Sequence, residues 1–230
     1  MLITVCRLQL HDYLFYASRE MGRLYETEKY LHNYGLTYAL GLVASPYANP
    51  VQVPRYQEDL DKMNERRVYV TPACPLRYTF TFSTFKMANV NYYNFTPQMS
   101  KNQVVFGRSK ELAPESTFEF FVLSEQPVAL PRWIRLGKWM AKARVDRVAQ
   151  GTAQSKQGIF RAEGALNPLD VSLRPDTCNI VAMAPASLIT NVHCTGDYYE
   201  LKYSENRREH TICLPAAMSY QPAGNRRLSA

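Results

Sequence analysis

The run LRYTFTFSTFKMANVNYYNFTPQMSKNQVVFGRSKELAPESTFEFFVL, residues 76–123, decides the fold. At its start Leu76, Tyr78, Phe80 and Phe82 alternate with Arg77, Thr79, Thr81 and Ser83, the period of a strand with one dry face. At its end Phe118–Leu123 is apolar almost throughout, as a more deeply buried strand is. Between them lie about thirty residues, too many for a structureless connection in a compact domain. Asn89–Phe95 and Gln103–Phe106 read as short strands separated by TPQMSK. The connection is therefore expected to be a projecting β-hairpin, inserted near residues 87–116.

Upstream, Leu2, Cys6, Leu8 and Leu10 fall on one face of an alternating stretch and Arg7 and Gln9 on the other, a half-buried strand. Leu31, Tyr34, Tyr38 and Leu42 then recur at helical spacing, with Asn33 as the expected cap and Ser45-Pro46 as the stop. Residues 46–67 read as a surface excursion with a short helix over 56–66. Strand, helix and two strands joined by a long hairpin suit an α+β fold with a ferredoxin-like (RRM-like) antiparallel sheet. Downstream, the Gly-, Ala-, Gln- and Ser-rich stretch 151–168 reads as a mobile loop. Leu188–Cys194 and Tyr198–Tyr203 flank Thr195-Gly196-Asp197, an expected hairpin turn. The expected organisation is a core over 1–147 with its hairpin insertion, a loop and β-rich C-terminal part of the same domain over 148–220, and a flexible tail over 221–230.

The 230 residues suffice to bury a substantial core, and 46% hydrophobic with 20% charged residues describes an ordinary globular chain. The net charge of +7 and pI near 9.1 lean toward a polyanionic partner. Five cysteines without a CxxC pair argue against a zinc knuckle or redox pair and suggest reduced thiols in a cytoplasmic protein. No stretch approaches the length of a membrane span, and the N-terminus lacks the pattern of a secretion signal.

Most of that charge sits in PRWIRLGKWMAKARVDR, residues 131–147, where Arg132, Arg135, Lys138, Lys142, Arg144 and Arg147 face Asp146 alone. Both tryptophans, Trp133 and Trp139, lie within it. Guanidinium and ammonium groups hold phosphates, and indole faces stack bases. The competing reading is a solvated helix face with its indoles turned inward. Gly137 adds weight to ligand binding, because it lets backbone approach a ligand closely. The expected hairpin adds Asn91, Tyr92, Lys101 and Arg108, polar, aromatic and basic groups suited to wedging between bases. It could equally be an edge ribbon guarded by charge. Earlier in the chain, Arg19 and Arg23 flank Gly22 in a segment holding six tyrosines from Tyr13 to Tyr38.

The run ASREMGRLYETEKYLHNYGLTYALGLV, residues 17–43, resembles the N-terminal signature of the Cas-five-type subunit of type I-D CRISPR surveillance complexes. The resemblance extends along the chain and is sharpest over residues 1–43. It implies an RNA-binding subunit that is not an enzyme, requires no cofactor or metal, and uses its hairpin as a thumb to bend the guide. Such a subunit holds the 5′ handle of the CRISPR RNA, caps the backbone filament and helps position target DNA near the protospacer-adjacent motif. Its partners would be the CRISPR RNA, target DNA, and the backbone, large and small subunits, with no membrane. A related branch of the family cleaves precursor CRISPR RNA without metal. On that alternative, His11 or His32 would act as acid or base.

Overall fold

The computed structural model describes residues 1–43, 55–87 and 105–222. In chain order its elements are β1 (Leu2–Leu10), β2 (Arg19–Met21), β3 (Leu24–Glu26), α1 (Asn33–Ala39), α2 (Tyr56–Glu65), β4 (Val68–Val70), β5 (Cys74–Arg77), β6 (Phe80–Met87), β7 (Val105–Leu112) and β8 (Thr117–Ser124). There follow β9 (Trp133–Leu136), β10 (Ala141–Thr152), β11 (Gln154–Arg161), β12 (Ala165–Leu166), β13 (Pro175–Val181), β14 (Leu188–Glu205) and β15 (Arg208–Pro215).

The largest sheet runs β4-β8-β1-β10-β9, with β5 also on β8, and all its pairs are antiparallel. Its centre is β1, where Ile3, Val5, Cys6 and Leu8 are fully buried. The chain leaves β1, passes through α1 and α2 and returns as β4, with β8 between the two strands, a split βαβ arrangement. From β8 to β10 the chain crosses without a helix, through the extended segment that includes β9. With two helices among the described residues, the chain is mostly β. That corrects the more evenly mixed α+β expectation.

A second sheet is organised on β14, eighteen residues long, with β11 and β12 along one edge and β13 and β15 along the other. The expected loop at 151–168 is mostly β10's end and β11. β11 has one exposed face (Ser155, Gln157, Ile159, Arg161) and one increasingly covered face, but the covered face holds Lys156 and Gly158 before Phe160 while Ile159 points outward, so its sequence shows no apolar alternation. Thr195-Gly196-Asp197 is not a turn but the middle of β14. A Cβ at Gly196 would come within 2.6 Å of the Leu173 side chain, so the glycine makes room for packing rather than reversing the chain. The reversal comes at Asn206-Arg207, both with positive φ (50° and 64°), the signature of a tight two-residue hairpin.

The third sheet, β2-β3-β7-β6, is the hairpin ribbon. The expected single strand over 76–83 is divided into β5 and β6, and the hairpin strands are β6 and β7. Residues 89–95 and the TPQMSK tip lie outside the described residues, as does the tail from 223. The small β2–β3 hairpin extends the ribbon, with β3 parallel to β7.

The helix boundaries differ from expectation for local reasons. His32, extended at φ −65° and ψ 136°, caps α1, its Nδ1 accepting from the Tyr34 N–H at 3.2 Å. Asn33 is drawn inward instead. The helix stops before Gly41, whose φ of 68° breaks the helical path well ahead of Ser45-Pro46.

The largest core cluster joins the N- and C-terminal parts of the chain. Residues from β1, α1, α2, β4, β8, β9 and β10 pack with Leu201, Ile212, Leu214 and Tyr220 from the C-terminal part. A buried polar cluster joins the same regions. Asp170 is fully buried and accepts from Asn33 Nδ2 (2.7 Å), Tyr34 Oη (2.9 Å), Tyr69 Oη (3.0 Å), Asn167 Nδ2 (3.1 Å) and the Gln221 N–H (2.8 Å). Burial raises its pKa above the ordinary carboxylate value, and the donors pull it part of the way back.

Candidate nucleic-acid interface

The basic stretch 132–147 is a β-hairpin, so the solvated-helix reading is replaced. Ile134, Leu136, Ala141, Ala143 and Val145 turn inward, while Trp133, Arg135 and Lys142 face solvent, with Arg144 half-buried. Pairing sets Arg135 opposite Lys142 and Trp133 opposite Arg144. The sequence lacks a helical period because its apolar residues obey the strand period of two.

The turn, residues 137–140, projects Lys138 and Trp139 into solvent. Gly137 holds φ at 70°, and a Cβ there would lie 2.5 Å from the Phe15 carbonyl oxygen. The glycine thus serves a close approach to the chain's own backbone, sealed by the Lys138 N–H donating to Phe15 O at 2.9 Å. Trp139 lies on Phe15, ring centroids 4.6 Å apart, and remains half exposed.

The cations of this face are not equally available. The Arg144 guanidinium donates to Asp146 at 2.8 Å and Gln9 at 3.1 Å. Arg135 donates to the Met140 carbonyl at 3.1 Å and lies 3.7 Å from Asp12. Lys142 sits 4.2 Å from the centroid of Trp133, whose edge meets His11 at 5.0 Å. Arg132 and Lys138 have no carboxylate within 4 Å among the described residues. They have the least competition for a phosphate.

The ribbon is the second basic surface. The outward face of β6 and β7 bears Phe82 (63% exposed), Phe106 (52%) and Arg108. Arg108 receives Arg23 beside it, its N–H donating to the Arg23 carbonyl at 2.8 Å. Arg19 does not stand free: Glu26 (3.1 Å) and Glu28 (3.4 Å) hold it. Asn91, Tyr92 and Lys101 lie outside the described residues. Leu14 joins the two surfaces, bonding Leu112 at the ribbon base in both directions (2.9 and 3.0 Å) while Phe15 carries the 137–140 turn. Sequence reading missed Phe82 and Phe106 as exposed aromatics and the buried Phe15 as the platform for Trp139. Only their spacing against Arg108 and Trp139 across elements reveals them.

His11 and His32 do not form a pair. His11 is exposed on Trp133, whereas His32 is buried with its pKa pulled down to about 4 by desolvation. No group of three or more His, Cys, Asp or Glu side chains could hold a metal among the described residues. No helix among them is long and apolar enough to cross a membrane.

This arrangement falls within the CRISPR-associated effector subunits. The chain belongs to the family of type I-D CRISPR-associated protein Cas5/Csc1, which it matches over residues 1–223. Among solved structures it is similar to a chain of the type III-B Cmr-beta complex bound to cognate target RNA and AMPPnP. That likeness, at 7% identity and a TM-score of 0.50 over 83% of this chain and 86% of the other, is one of fold alone. A CRISPR protein from Archaeoglobus fulgidus is similar at 9% identity and a TM-score of 0.39, over 94% of this chain and 100% of its own. No curated protein matches the sequence.

Proposed function

We propose that this chain grips the guide RNA of a type I-D effector complex without cutting it. The observation that carries the reading is the 132–144 hairpin, where two exposed indoles lie among five cations, three of which, Arg132, Lys138 and Lys142, have no carboxylate within 4 Å among the described residues. Arg132, Arg135, Lys138 and Arg144 take phosphates, and Trp139 on its Phe15 platform stacks a base. Arg23 and Arg108 extend the basic track along the ribbon. Family membership supports the particular RNA, the 5′ handle of the guide, and a place at the end of the backbone filament, where target DNA enters beside the large and small subunits. Sequence recognition in such an assembly belongs to base pairing, and the protein reads backbone and shape. Cleavage is the weaker reading, since desolvation favours the neutral form of the buried His32 and His11 stands without a histidine partner among the described residues.

The test is binding of a labelled CRISPR repeat RNA to the purified chain, in EDTA, across a salt series. Wild-type protein should bind with a steep salt dependence and leave the RNA intact. Changing Arg132 and Lys138 together to glutamine should flatten the slope of log K against log salt by about 1.4, or about 0.7 for each lost single-strand phosphate contact. Specific cleavage, or an unchanged slope, would refute the proposal.

A further inference from the structure

Beside the basic turn, a cavity of about 450 Å³ opens between α1 and the β9–β10 hairpin, within the size range of small-ligand sites. Its wall is largely apolar: Leu36, Tyr38 and Tyr56 on one side, Leu136 and Met140 on the other, with Arg135 at the rim. Two features of the wall have no explanation within the fold.

The first is His32. Its Nδ1 is committed to the Tyr34 N–H, which fixes the proton of the neutral ring on Nε2. That Nε2–H is buried in the cavity lining and finds no hydrogen-bond partner of proper geometry among the described residues. The Ala186 carbonyl is the one nearby acceptor among the described residues, a weak partner outside ideal geometry that raises the ring's basicity slightly against desolvation. A buried donor left without an acceptor is costly and rare. Two of the wall hydroxyls are occupied elsewhere, Tyr16 by the Glu28 carbonyl (2.6 Å) and Tyr38 by Asp59 (2.8 Å).

The second is Gly35, inside α1. Glycine weakens a helix interior relative to alanine, and here no positive φ demands it. A Cβ at this position would meet no atom within 4 Å. Gly35 is exposed, and its missing side chain leaves the cavity open to solvent on this side of α1.

We infer that this cavity receives one unstacked nucleobase of the bound RNA, which seats its flat face against the apolar wall and accepts a hydrogen bond from His32 Nε2. This inference rests on the RNA-binding reading, because the mouth is the hairpin itself, so Arg135 and Lys138 would hold the phosphates flanking the inserted base. A nucleobase satisfies both unexplained features: its carbonyl or ring nitrogen completes His32, and its ring fills the room left by Gly35.

The probe is the labelled CRISPR repeat RNA, compared with versions carrying a single abasic site at each position in turn, bound to the full chain. Wild-type protein should show one position whose base removal weakens binding about tenfold, the scale of one lost base contact. Gly35→Met, which fills the cavity with a better helix former, should bind the intact RNA about tenfold more weakly. It should lose sensitivity at that position, and keep the wild-type salt slope and an equal or higher melting temperature. His32→Asn, which retains a capping oxygen, should weaken binding several-fold without changing the slope. A flat abasic profile, or an unaltered profile in Gly35→Met, alongside normal salt-sensitive binding would overturn the base pocket alone. Absence of salt-sensitive binding would overturn it together with the reading on which it rests.

Discussion

Replacing Asp170 with asparagine tests whether the two large sheets form one cooperative unit. The carboxylate receives three donors on Oδ2, from Asn33, Tyr69 and Asn167, and two on Oδ1, from Tyr34 and the Gln221 backbone. An asparagine must put its own NH₂ at one of these oxygens. At Oδ2 it would face two side-chain amides and a hydroxyl. At Oδ1 it would face the Gln221 N–H, which cannot reverse, and the Tyr34 hydroxyl, which can. The better orientation thus forfeits two charge-assisted bonds, each worth about 1.5–3 kcal/mol, and leaves a backbone donor buried. The expected loss is about 3–5 kcal/mol. For a chain of this size that corresponds to a melting temperature lower by about 6–20 °C. Urea denaturation followed by tyrosine and tryptophan fluorescence reads it directly. Because the donors come from α1, β4, the segment after β12 and the C-terminal segment, the transition should stay single while its midpoint falls. A loss below about 1 kcal/mol would refute the assignment of Asp170 as the shared acceptor.

Two further outcomes are expected. Gly137→Ala forces a side chain into left-handed backbone and 2.5 Å from the Phe15 carbonyl. It should cost about 2–4 kcal/mol in denaturant and shift tryptophan emission as Trp139 leaves Phe15. His32, with a folded pKa of about 4 against about 6.5 when unfolded, favours folding in its neutral form. Its contribution is complete above pH 6.5 and is lost as pH falls toward 4, by up to about 3 kcal/mol. The difference in stability between wild type and His32→Asn should therefore shrink or reverse across that window. A pH-independent difference would contradict the burial argument.

Much of this protein is legible in its residues one element at a time. Leu2–Leu10, Phe118–Leu123 and the basic run 131–147 each announce a strand or a charge concentration. The signature over 17–43 points to the family that the whole-chain match then establishes. These signals are local, written in a period of two or in composition, and need no knowledge of neighbours. Whatever depends on neighbours stayed hidden. β11 looks like a loop because its covered face carries Lys156 and Gly158 beside Phe160 while Ile159 points outward, and Gly196 looks like a turn because its reason is Leu173, twenty-three residues away in sequence. Gly137 was read as an opening for a ligand, yet the backbone it admits is that of Phe15. Which cations of the basic hairpin stand without a carboxylate follows from where Asp12 and Asp146 fall in the pairing, and the open space beside Gly35 and His32 exists only because the β9–β10 hairpin folds against α1. Periodicity fixes which face of an element is dry. Which element covers that face, and what it leaves open, is decided by packing between residues far apart in the chain.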